Sequence, residues 1–144
     1  MPSTEALMTV LGGTAIFRRK IRTLDDMTEA IRHGMPFPAL KTVALLAQLD
    51  LLRLAQVLRI PPRTLARRQQ QGRLSPDESD RLTRFARIVA RAHEIFDDPD
   101  KVARWLQRPN RALHNLAPLE LLDTDIGTQT VETILGRLES GVYS

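Results

Sequence analysis

Five arginines and no acidic residue fall between Arg59 and Arg73. Arginine is well suited to hold a DNA phosphate or to grip guanine with two hydrogen bonds, and glutamine can pair with adenine in the same groove. Residues three or four apart on a helix share a face. That spacing selects Arg63, Thr64, Arg67, Arg68 and Gln71 as DNA-contacting side chains and turns Leu65 and Ala66 inward. A solvated face whose arginine stems cover apolar surface accounts for the same composition, so the elements around the segment must decide between the two.

Upstream, Asp50 is placed to cap a short helix carrying Leu51, Leu54, Ala55 and Leu58 on one side. Ile60-Pro61-Pro62 then forces a turn, because proline disfavours helix at the residue before it and donates no backbone hydrogen bond. Gly72 closes the basic segment. Two short helices across a tight turn, the second rich in arginine and amides, form the layout of a helix-turn-helix.

Ser75-Pro76-Asp77-Glu78 reads as a helix start, with a serine and a glutamate three residues apart and proline at the first helical position. Leu82, Phe85, Val89, Ala92 and Phe96 recur from there at steps of three and four, so Phe85 and Phe96 are expected in a core. Asp97, Asp98 and Asp100 stop that helix. Pro99 after Asp98 favours a helix cap over a cation site. Val102, Trp105 and Leu106 mark a short helix with Trp105 toward the core, Pro118 starts another through Leu122, and Val131, Ile134, Leu135 and Leu138 mark the last, which Gly141 terminates. Nearer the start, Thr23 is a candidate cap and Gly34 a stop, Pro36 and Pro38 bracket a break, and residues 1–22 give no clear element.

The 144 residues are 42% hydrophobic but only 4% aromatic, so any core is aliphatic. There is no cysteine, which excludes a disulfide framework and thiolate chemistry. His33, His93 and His114 lack the spacing of zinc ligands, and neither a nucleophile with its base nor a phosphate-cradling glycine loop is present. Catalysis and a cofactor have no support. No run approaches a membrane span and no signal peptide is evident, so a cytoplasmic protein is expected. Residues 1–74 hold twelve Lys or Arg against five Asp or Glu, a net +7, and residues 75–144 hold nine against twelve, a net −3. Opposite halves suggest two partners, one of them polyanionic.

Ala-Arg-Trp-Leu at 103–106, Arg-Pro-Asn-Arg-Ala-Leu at 108–113, Pro-Leu-Glu-Leu-Leu at 118–122 and Arg-Leu-Glu-Ser-Gly-Val-Tyr-Ser at 137–144 together resemble the toxin-binding domain of the Xre/MbcA/ParS antitoxins, partners of RES-type toxins. Arg-Thr-Leu-x-Arg-Arg at 63–68, Leu-Ser at 74–75 and Glu-Ser-Asp-Arg-Leu at 78–82 resemble the Xre-type portion of the same proteins. Two departures stand out. Arg59 occupies a turn position where relatives commonly carry glycine, and His114-Asn115 replaces a glycine-rich stretch.

The resemblance implies that the C-terminal region covers the active-site entrance of an NAD-consuming RES toxin, with Arg111, Glu132, Arg137, Gly141, Val142, Tyr143 and Ser144 as toxin-binding residues. Val142 and Tyr143 lie beyond a helix-ending glycine, where folding back onto the helix end is the alternative use. An acidic domain suits a pocket built to hold a pyrophosphate.

The expected protein is all-α: a helix-turn-helix subdomain (36–88) joined through a long shared helix to a small C-terminal helical toxin-binding domain (89–144), after an N-terminal segment (1–35). Its expected function is an antitoxin that occludes a RES-domain toxin and represses its own operon by binding operator DNA, as a homodimer, with no membrane and no cofactor. The alternative is a stand-alone dimeric helix-turn-helix regulator.

Overall fold

Residues 1–141, which the computed structural model describes, fold into α1 (Thr4–Leu11), α2 (Gly13–Phe17), α3 (Leu24–His33), α4 (Phe37–Ala47), α5 (Leu51–Val57), α6 (Pro62–Gln71), α7 (Pro76–Phe96), α8 (Pro99–Gln107) and α9 (Asp125–Glu139). Two 3-10 turns, Arg111–Leu113 and Pro118–Leu121, join α8 to α9. Among the described residues there is no strand, only isolated bridges at Pro36–Arg73 and Asn110–Leu116. The chain is all-α, as its periodicity indicates.

Helix α7 begins with the capping box read from the sequence. Ser75 Oγ accepts from the Glu78 amide at 3.2 Å, and the Glu78 carboxylate accepts from the Ser75 amide at 2.9 Å. Leu82, Phe85, Val89 and Ala92 are all buried, but so are Ser79, Thr83, Ala86 and Ala90. This second stripe of small residues lets other helices approach closely: α1 and α3 pack on α7, as does α9. One continuous core runs from Leu7 to Leu135, so α7 serves both halves as a common spine. At its far end Phe96 is only half-buried. It leans on the half-buried Trp105, ring centroids 5.7 Å apart and planes tilted by 43°, so both rings sit at the edge of the core.

Two expectations need correction near the N-terminus. Residues 4–11 form α1, capped by Ser3 and burying Leu7, Met8, Val10 and Leu11 against α4 and α7. Pro38 does not break the chain but lies in the first turn of α4, where its missing N–H would have had no partner anyway. Thr23 caps α3 and Asp50 caps α5 by accepting amide hydrogen bonds. Asp98 accepts from the Asp100 amide and so caps α8. In α9, Thr124 Oγ1 accepts from Gly127, and glycine is needed there because a Cβ would lie 1.9 Å from the Leu121 carbonyl oxygen.

Candidate functional site

The turn between α5 and α6 is a Schellman motif. Ile60 donates its amide to Ala55 O at 2.8 Å and Arg59 donates to Gln56 O at 3.0 Å. Such a motif needs a left-handed residue, usually glycine. Arg59 supplies it at φ 61°. The substitution therefore leaves the turn's shape intact and places the strain on an arginine. Ile60 is buried beneath the turn, and Arg81 of α7 donates to Leu58 O at 2.7 Å, pinning the turn to the spine.

Pro62 opens α6 and Gly72, at φ 78°, closes it. Leu65 is the one residue of α6 that is buried. Ala66, expected to face inward, is exposed, because it stands a third of a helical turn round from Leu65. The outward stripe is thus Arg63, Ala66, Arg67 and Gln70, at steps of three, one and three. Gln70 belongs to this face and could have been found by extending the spacing from Arg63 and Arg67 one step further.

Of the other side chains singled out on α6, Thr64 is half-buried at the flank and Gln71 is exposed. Arg68 points toward the spine. Its Nε and Nη2 donate to the two carboxylate oxygens of Glu78 at 2.7 and 3.1 Å, and its Nη1 donates to Gln71 Oε1 at 3.1 Å. The Arg68 side chain is 19% exposed and that of Glu78 7%. Burial pushes the Glu78 carboxyl upward, but the hydrogen bond from Arg68, the Ser75 amide and the charge of Arg68 together outweigh it and hold the group below the ordinary carboxylate range. Arg68 accordingly anchors α6 to α7. Beyond Gly72 the chain pairs with the lead-in to α4, Phe37 donating to Gly72 O and Leu74 to Met35 O, both at 2.9 Å.

In the C-terminal half, Asn110 caps the first 3-10 turn through Ala112 N at 2.9 Å, and His114 and Asn115 follow at φ 57° and 66°. Here too non-glycine residues adopt the left-handed conformation. Arg111 is exposed on this turn, and Arg137 is exposed on α9. Glu132 is held by Arg87 at 2.8 Å. Gly141, at φ 74°, donates to Leu138 O at 3.1 Å. Val142, Tyr143 and Ser144 lie outside the described residues. Leu116 and Ile126 of this half are exposed apolar side chains that the sequence reading did not single out. Leu116 lies outside any helix, and Ile126 could have been found because it stands about 140° round α9 from the stripe that starts at Val131. Among the described residues no His, Asp and Glu are grouped to hold a metal ion, and no helix is long and apolar enough to cross a membrane.

Comparison with known proteins divides the chain at the same helix. Residues 26–87 match the Antitoxin Xre-like helix-turn-helix domain, and residues 91–141 match the Antitoxin Xre/MbcA/ParS C-terminal toxin-binding domain. The chain is 32% identical to Antitoxin Xre of Yersinia enterocolitica over 120 residues, covering 82% of this chain and 81% of that protein. It is 39% identical to Antitoxin Xre of Photorhabdus laumondii over 97 residues, covering 66% of this chain and 64% of that protein. It is also 25% identical over 129 residues, covering 83% of this chain and 81% of the other, to a protein of a Sphingobium strain named Prs ADP-ribosylating antitoxin. With α5 and α6 lying in the first matched domain and α8 and α9 in the second, the chain belongs to the Xre/MbcA/ParS family of antitoxins, as an antitoxin that joins an Xre-like helix-turn-helix domain to a toxin-binding domain.

Proposed function

We propose that this antitoxin neutralises a RES-domain, NAD-degrading toxin by covering its active-site entrance, and represses its own operon through α6. The observation that carries the DNA half is the outward face of α6, where Arg63, Ala66, Arg67 and Gln70 are exposed with no acidic residue on the helix. Arg63 and Arg67 contact phosphates or guanine edges, Gln70 and Gln71 reach base edges, Thr64 contacts the backbone at the flank, and Arg68 positions the helix. The protein acts as a cytoplasmic homodimer, which sets two recognition helices about 34 Å apart for half-sites one DNA turn apart.

The toxin half draws on the family resemblance and on the exposure of Arg111, Leu116, Ile126 and Arg137 in the toxin-binding domain. Val142, Tyr143 and Ser144, which follow Gly141 in the sequence, are the residues that reach into the toxin in this reading.

Two variants test the halves separately. Arg63→Ala with Arg67→Ala is expected to weaken operator binding and to flatten its log–log salt dependence by about 0.9 for each lost phosphate contact, while toxin neutralisation survives. A chain ending at Gly141 is expected to shift operator DNA normally yet fail to prevent NAD loss in cells that express the neighbouring toxin. An unchanged salt slope refutes the recognition-helix assignment, and full protection by the shortened chain refutes the plug. A regulator without a toxin partner would show no such division of phenotypes.

A further inference from the structure

Lys101, Arg104 and Arg108 lie at steps of three and four along α8 and its cap, so they share one face, with Trp105 set between the two arginines. Together with Phe96, Pro109 and Asn110 they line a cleft of about 380 Å³, a size typical of small-molecule sites. No acidic residue lines it. Among the described residues none of the three cations has an ion-pair partner, whereas Arg32, Arg68, Arg87 and Arg91 each have a glutamate. Like charges at this spacing repel. The helix macrodipole accounts for cations near the end of α8 but not for Lys101, the third residue of the helix, where it opposes a positive charge. The toxin-binding domain, although net acidic, thus has one purely basic and aromatic cleft.

The position of the cleft separates it from the DNA-facing helix. Glu78, which holds Arg68, and Phe96 are eighteen residues apart on α7, about 27 Å at the rise of an α-helix. The cleft therefore sits at the opposite end of the spine from α6.

We propose that this cleft binds a nucleoside diphosphate-type ligand, with the base against Trp105 and Phe96 and the phosphates on Lys101, Arg104 and Arg108. Trp105 is half-buried and tilted on Phe96, which fixes its ring while part of it borders the cleft. A planar base stacks on such a ring, and unpaired cations three and four residues apart match a pyrophosphate. Asn110 keeps its amide nitrogen available, because its oxygen accepts from Ala112 N. Asp97, Asp98 and Asp100 precede Lys101, so a long polyanion laid along α8 would meet three carboxylates where a compact nucleotide does not. An acidic peptide would satisfy the cations but has no need of the indole. This assignment is independent of the DNA and toxin readings above.

Trp105 is the one tryptophan in the chain, so its fluorescence reports on this cleft alone. Titration of the full chain with ADP is expected to quench it saturably. The triple variant Lys101→Gln, Arg104→Gln, Arg108→Gln is expected to weaken ADP binding about tenfold or more while keeping the parent's melting curve, since all three side chains are exposed. Lys101→Gln alone provides the same comparison if the triple variant does not fold. Inorganic pyrophosphate is expected to displace ADP and reverse the quenching. Absence of ADP quenching, or equal ADP affinity in a folded charge variant, overturns the assignment. Tighter binding of a hexaglutamate peptide or of a single-stranded oligonucleotide than of ADP also overturns it, in favour of a peptide or strand site.

Discussion

Helices α6 and α7 both carry regular arginine stripes, and they use them in opposite ways. On α6, Arg63 and Arg67 face outward over a helix that buries only Leu65. On α7, Arg81, Arg84, Arg87 and Arg91 recur just as regularly, yet Arg81 holds the Leu58 carbonyl, Arg87 holds Glu132, and Arg91 holds Glu139 with both nitrogens at 2.7 and 2.6 Å. Even the Nε of Arg84 is buried, without a hydrogen-bond partner among the described residues. The α7 stripe is thus taken up within the fold, whereas Arg63 and Arg67 of α6 are left exposed. Arg68 is where the two uses meet: it lies on α6 but is bound by Glu78 of α7.

The contrast in burial gives the largest expected effect. Phe85 is 1% exposed at the centre of α7, and Phe85→Ala is expected to cost about 3–5 kcal/mol through lost transfer free energy and the cavity left behind. Chemical denaturation reads this directly. A change below about 1 kcal/mol would mean that α7 is no more a core element than α6.

The sequence carried the punctuation of this fold well. Thr23, Asp50, Ser75 and Asp98 all cap helices, because capping is a local contact between a side chain and an amide two or three residues on. Nonlocal facts were not legible. Helix α1 was not legible although Ser3 caps it and Leu7, Val10 and Leu11 are spaced for one face; Gly12 closes it after eight residues, and so short a helix depends on the α4 and α7 surfaces it packs against. The capture of Arg68 depends on a glutamate ten residues away that is recognisable locally only as half of a capping box. The left-handed backbone at Arg59 also ran against its residue type, which disfavours it, and followed the turn that the surrounding hydrogen bonds impose; at His114 and Asn115 the residue types tolerate that conformation.

The Arg68–Glu78 pair gives the next effect. Glu78→Gln removes a charge partner from a largely buried arginine and weakens the capping box, with an expected loss of roughly 1–3 kcal/mol at neutral pH. The pH dependence has a definite sign. The folded carboxyl titrates below its unfolded value, so its contribution is present above the unfolded pKa, about 4.3, and is lost as pH falls from there through the folded pKa. Denaturation curves collected from neutral pH into that acidic range should therefore converge for parent and variant. Operator binding should weaken as well, since α6 loses its anchor. A variant with parental stability at neutral pH would reduce the pair to a surface contact and return Arg68 to the group of arginines available to DNA.

Arg59 sharpens the comparison with the smallest effect, because it belongs to neither use of arginine. Its side chain is exposed, and its backbone occupies a conformation that costs an L-residue about 1–2 kcal/mol. Replacement by glycine relieves that cost but adds roughly 0.4–1 kcal/mol of conformational entropy to the unfolded chain. Arg59→Gly is therefore expected to stabilise by about 0.5–1 kcal/mol, whereas Arg59→Ala keeps the strain and should change little. The difference between the two variants in thermal or chemical denaturation isolates the backbone from the loss of charge. If the left-handed turn alone matters, both variants bind operator DNA with the same salt slope as the parent. A slope lowered equally in both would add Arg59 to Arg63 and Arg67 as a phosphate contact. A glycine variant less stable than the alanine variant would show that the turn between α5 and α6 is held by something other than the Schellman hydrogen bonds of Arg59 and Ile60.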